Sequence, residues 1–142
     1  MLEKAVLDEN NRDITSTTTD HFGFTVLVDL TGKGTDYKTY PLQYQLEYDG
    51  GTAVFNTKND GYITFKPGEK VRLLNLPVGA RYKVVEGITA GYAPVSATIS
   101  SGGIDVDFTD ANVTGTVVSV VMIEDTAGMA NLLHWVELYT IG

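Results

Sequence analysis

The chain contains no cysteine, one tryptophan and four prolines in 142 residues. Without thiols there are neither disulfides nor thiolate metal sites, so a secreted domain of this kind needs another brace. Positive charge is also scarce: 10 Lys and Arg stand against 18 Asp and Glu, a formal charge of −8. That balance repels nucleic acid and anionic membranes, and neither is expected as a partner. No apolar run is long enough to span a bilayer and no signal peptide opens the chain, so an exported protein is here in processed or truncated form.

What is present favours β structure. Hydrophobic residues make up 43% of the chain, enough for one core and short of two. Thr, Val and Tyr are abundant, and 15 glycines include turn pairs such as Asp49-Gly50, Asp60-Gly61, Pro67-Gly68 and Gly102-Gly103. The spacing predicts an all-β sandwich or barrel of antiparallel strands. Phe22, Phe24, Val26, Val28 and Leu30 share one parity and read as a half-buried strand. Leu42, Tyr44, Leu46 and Tyr48 form a second such face, followed by an Asp-Gly-Gly turn and "TAVFN". Three short strands follow within residues 61–86, then "VSATIS" and "IDVDFTD", then "GTVVSVVMIED", apolar on both faces like a central strand. The predicted organisation is a sandwich domain over residues 1–126 and a C-terminal tail over 127–142. In that tail Met129, Leu132, Leu133 and Val136 fall near helical spacing, while "HWVELYTI" equally suits an added strand; both conformations stay open.

Three ionisable residues occupy positions where the alternation calls for an apolar side chain. Lys4 lies between Leu2 and Val6, Glu86 follows Tyr82 and Val84, and Asp125 lies two residues after Ile123. A single buried charge costs several kcal/mol or loses its charge. Buried together, the three can share protons: a desolvated lysine favours the neutral amine and a desolvated carboxyl the acid, which sets a nucleophile before an electrophile. Taken one at a time, each has a plainer reading: an edge lysine, a strand-end glutamate and a turn-forming aspartate.

The run "ITFKPGEKVRLLNLPVGARYKVVEGITAGY" resembles the "G-L-P-x-G-T-x-Y-x-V-x-E … G-Y" segment of Gram-positive pilin subunits of the FctA type and of collagen-adhesin B-type domains. Pro67-Gly68, Leu76 to Gly79, Tyr82, Val84, Glu86 and Gly91-Tyr92 fall in step with it. "LEKAV" looks like that family's opening strand, "HFGFTVLVDL" like the strand that follows, and "VVSVVMIEDTAG" like its closing strand. The resemblance covers about Leu2 to Thr126. It implies an immunoglobulin-like β-sandwich and an autocatalytic intramolecular isopeptide bond, with Lys4 as nucleophile, Glu86 as proton shuttle and Asp125 as acceptor. Asp125 stands where the commoner pattern has Asn, so water rather than ammonia would leave. A second register, through "VDFTDAN", nominates Asp110 as acceptor. The resemblance further implies a structural subunit of a pilus or adhesin stalk on the outside of the cell, in contact with other subunits.

Other motifs carry less. Asp105, Asp107, Asp110 and Asn112 fit no calcium loop, and His21 and His134 have no metal-ligand spacing. No metal and no cofactor is expected, and no nucleophile elbow or triad order suggests an enzyme. An alternative reading is an adhesin module that binds a host glycan or protein through loops 31–41 or 56–62, with Tyr37, Tyr40 and Tyr62 as aromatic contacts.

Overall fold

The structure, a computed structural model, describes residues 2–87, 89, 91–99, 103–107, 112–117 and 136–141. These form two packed sheets. One has six strands in the order β4-β3-β6-β1-β11-β8, the other five in the order β5-β2-β7-β10-β9. The strands are β1 (Leu2–Leu7), β2 (Phe22–Asp29), β3 (Gln43–Tyr48), β4 (Gly51–Asn56), β5 (Tyr62–Phe65), β6 (Lys70–Leu74), β7 (Arg81–Glu86), β8 (Ala93–Ile99), β9 (Gly103–Asp107), β10 (Asn112–Thr116) and β11 (Val136–Ile141).

The predicted all-β sandwich is therefore what forms, and alternation is the reason. On β2 the side chains of Phe22, Phe24, Val26 and Val28 are at most 1% exposed, whereas Thr25 and Leu27 on the opposite face are half-buried. Each such side chain buried contributes roughly 1.5–3 kcal/mol. Phe24 stacks on Phe65 of β5 at 4.9 Å between centroids, and Ile63, Val71, Leu73, Tyr82 and Val84 complete the layer between the sheets. Tyr82 lies flat against β10 because its register partner is Gly115, where a Cβ would overlap the tyrosine ring.

The Pro-Gly turns do more than reverse the chain. β5 belongs to the five-stranded sheet and β6 to the six-stranded one, so Pro67-Gly68 carries the chain across the sandwich; the Pro77–Gly79 turn carries it back to β7. Gly68 and Gly79 take φ of +87° and +89°, the left-handed region where other residues are strained. By contrast, β3 and β4 form a hairpin closed by Asp49-Gly50, with Tyr48 opposite Gly51.

One pairing departs from the antiparallel expectation. β1 runs parallel to β11, with Leu2 level with Val136 and Lys4 level with Leu138. The stretch read from sequence as a tail thus contributes a strand, inserted between β1 and β8. Of the two conformations left open for it, Val136–Ile141 takes the extended one.

Candidate functional site

Lys4 sits in the middle of β1 and points inward with Leu2 and Val6, as the alternating burial of that strand requires. It is 1% exposed, among the largest fully buried side chains of the described chain. Glu86 is the last residue of β7, on the same parity as buried Tyr82 and Val84 and level with Phe24 of β2. The two side chains meet across the sandwich, from the six-stranded sheet to the five-stranded one. Lys4 Nζ donates to Glu86 Oε2 at 3.0 Å and to Oε1 at 3.2 Å. The ammonium also stands 4.9 Å from the centroid of the Phe22 ring, whose edge-to-face neighbour is Tyr92 at 4.8 Å. Tyr92 in turn donates its hydroxyl to Asp20 at 2.6 Å.

Burial dominates the electrostatics of this pair. Desolvation lowers the Lys4 pKa from the ordinary 10.5 to about 8, even though the Glu86 charge and hydrogen bond act in the other direction. Desolvation raises the Glu86 pKa, against the opposing pull of Lys4. Both groups are moved toward neutrality, which narrows the gap between their proton affinities. An amine with a pKa near 8 has a substantial unprotonated fraction at neutral pH, and a carboxyl within hydrogen-bond reach can accept and return its proton. The carboxylate on the apolar face of β7 is there because the ammonium on the apolar face of β1 needs a counter-charge.

Of the sequence-nominated residues, the structure brings together Lys4 and Glu86. Asp125 and the alternative Asp110 lie outside the described residues. In its sheet β1 lies between β6 and β11, and β11 contains neither Asp nor Asn. Its alternation of Val136, Leu138 and Thr140 was the available signal, obscured by the helical spacing just before it.

Among the described residues no cluster of His, Asp and Glu has the arrangement of a metal site. Two of the tyrosines nominated for ligand contact, Tyr40 and Tyr62, also make structural contacts. Tyr40 packs against the core, and Tyr62, half-exposed, lies over Gly23 where any Cβ would collide with it. Sequence reasoning missed Asp29. This residue is fully buried at the end of β2, and its carboxylate accepts from the backbone N–H groups of Thr31, Gly34 and Thr35 at 2.8, 2.6 and 2.9 Å and from the Thr31 hydroxyl. Its signal is an aspartate two residues before the Gly-rich "TGKGT" loop.

Comparison with solved structures finds the same fold in pilus proteins. Two point variants of the major pilin from Streptococcus pyogenes match at TM-scores of 0.53 and 0.56, each with 16% identity over 99% of this chain and 45% and 46% of the pilin. A pilus-presented adhesin matches at a TM-score of 0.51 with 21% identity, over 99% of this chain and 26% of the adhesin. This chain thus spans less than half the length of these proteins. No curated protein matches its sequence. A described family does match, over residues 2–118, and on that match the chain belongs to the family of the DUF7601 domain, a domain of unknown function.

Proposed function

We propose that this chain is a load-bearing β-sandwich unit of a Gram-positive surface pilus or adhesin stalk, outside the cell, braced by an amide between Lys4 and Asp125. The Lys4–Glu86 bridge carries the reading. It is a desolvated lysine on the first strand, held at 3.0 Å by a glutamate that can take its proton. The pilus-protein fold supports it, as does the absence of cysteine, which leaves disulfides out of the bracing.

In the reaction the neutral Lys4 amine attacks the carbonyl carbon of protonated Asp125. Glu86 accepts a proton from the attacking nitrogen and returns one to the departing hydroxyl. An N–C bond forms, a C–O bond breaks and one water leaves. Since β11 carries no Asp or Asn, the acceptor comes from outside that strand, as Asp125 does and as Asp110 would. The closed loop restrains the unfolded chain by about 4–5 kcal/mol on the loop-entropy account. Force entering at β1 then passes through covalent bonds rather than through strand hydrogen bonds. The partners of such a unit are neighbouring stalk subunits.

Intact-mass spectrometry tests the crosslink. The expected mass is one water below that of the sequence, with Glu86→Ala and Lys4→Met each restoring the full mass, and tandem fragmentation placing the branch at Asp125. An unmodified chain carrying its full sequence mass removes the covalent brace.

A further inference from the structure

β4 ends the six-stranded sheet, with β3 on one side and no strand among the described residues on the other. Natural edges of this kind usually carry lysines, proline or a bulge that blocks further pairing. Residues 52–56, "TAVFN", contain no charge and no proline, and the register with β3 runs without a bulge. Val54 is 45% exposed and Phe55 44%.

We infer that this edge pairs with a second copy of the same chain, the two β4 strands running antiparallel about a two-fold axis at Val54. Backbone parity gives the first reason. With Tyr48 and Gly51 paired across the turn, ladder alternation directs the backbone of Ala53 and Phe55 toward β3 and that of Thr52, Val54 and Asn56 outward. An axis at Val54 sets Val54 opposite its symmetry mate and Thr52 opposite the mate of Asn56. Every outward donor and acceptor then meets one from the other copy. Registers centred one residue pair to either side leave part of the edge unpaired.

Side-chain shape gives the second reason. Phe55 packs against Tyr44, which itself borders the core, so both belong to the inner face. The two-fold sets each Phe55 opposite the small Ala53 of the other copy. That is a non-hydrogen-bonded pair, where side chains approach most closely, and the large ring covers the space the methyl leaves. Charge gives the third. The chain carries −8, yet no like charges face each other along the uncharged strand, and the same register brings the Asp49 end of one hairpin next to the Lys58 end of its mate. A contact of five residues per strand is small, so the association is weak and gains importance where copies are held side by side.

The association uses neither Lys4 nor Glu86, so its test is independent of the crosslink. Sedimentation velocity from about 10 µM to about 1 mM spans the range of weak dimers. The weight-average mass is expected to climb toward twice that of the monomer for the native chain and for Val54→Thr. It is expected to stay at the monomer value for Val54→Lys, which sets two ammoniums on the axis at a surface position the fold does not need. Amide exchange over the same range is expected to slow several-fold at Thr52, Val54 and Asn56 but not at Ala53 and Phe55. A mass that does not change with concentration, a dimer that survives Val54→Lys, or protection that arises on another strand would each overturn the proposal.

Discussion

Among the described residues, Asp29 and Glu86 both carry a carboxylate into the interior, and their surroundings treat them in opposite ways. Asp29 is held within one local loop: its own Thr31 hydroxyl and the N–H groups of Thr31, Gly34 and Thr35 converge on it. Hydrogen bonding, led by the Thr31 hydroxyl, keeps its pKa below the ordinary carboxylate value. Glu86 faces an apolar interior and a single ammonium that arrives from the other sheet. Desolvation outweighs that partner and its pKa rises. A carboxylate surrounded by fixed dipoles is stabilised as an anion and does structural work. One desolvated beside a desolvated amine is poised to move a proton.

The sharpest break of this comparison is Lys4→Met, which keeps the volume but strands the Glu86 carboxyl. We expect a loss of at least about 3–5 kcal/mol in urea unfolding; the part due to the unpaired carboxyl is recovered in Lys4→Met/Glu86→Leu, and the part due to the amide stays lost. A double variant as unstable as the single one would mean that the bridge is not what Lys4 contributes.

The pH dependence separates the two sites next. A lysine whose folded-state pKa lies at about 8 rather than 10.5 binds fewer protons when folded between those values, so its share of stability rises with pH across that window. Glu86, raised, has the opposite slope: its share falls as pH climbs from the ordinary 4.5 through its folded value. Asp29, lowered, contributes stability that is present above the ordinary 3.8 and lost as pH falls toward its folded value. Acidification therefore relieves one carboxylate and undoes the other. Stability curves of Glu86→Gln and Asp29→Asn, each subtracted from the native curve, are expected to slope in opposite directions below pH 6. An amide at Lys4 would erase the alkaline slope, which makes that slope a second readout of the crosslink.

Smaller effects complete the series. Asp29→Ala is expected to speed amide exchange at Gly34 and Thr35 roughly fivefold, as net hydrogen-bond energies near 1 kcal/mol imply, and to leave β1 untouched. Phe22→Leu removes the ring beneath the ammonium and is expected to cost about 1 kcal/mol beyond its lost burial, with the Lys4 pKa falling further. That shift is measurable by NMR titration of the Lys4 side chain in an Asp125→Ala background, where the proposed amide does not form.

Much of the fold was legible because burial imposes a period of two. The parity of Phe22 to Val28 anticipated β2, that of Leu42 to Tyr48 anticipated β3, and the Pro-Gly and Asp-Gly pairs marked where strands end. Lys4 and Glu86 were legible through the same rule, as the residues that break it. Asp29 was hidden because an aspartate before a Gly-rich loop looks the same whether its carboxylate faces water or gathers the loop's backbone amides. β11 was hidden because six alternating residues after a helically spaced run satisfy two templates equally.

Sequence by itself settled that the chain is an all-β sandwich or barrel of short strands, that Phe22, Phe24, Val26 and Val28 enter the core on one parity, and that a lysine and a glutamate were placed where neither belongs alone. Those are local properties, set by residue type and spacing. Which sheet each strand joins, that Pro67-Gly68 and Pro77–Gly79 cross between sheets while Asp49-Gly50 folds a hairpin, and that β11 lies parallel to β1 were decided only in three dimensions. Strand partners are chosen by contacts between residues far apart along the chain, and the 3.0 Å bridge from Lys4 to Glu86, 82 residues away, is one of those contacts.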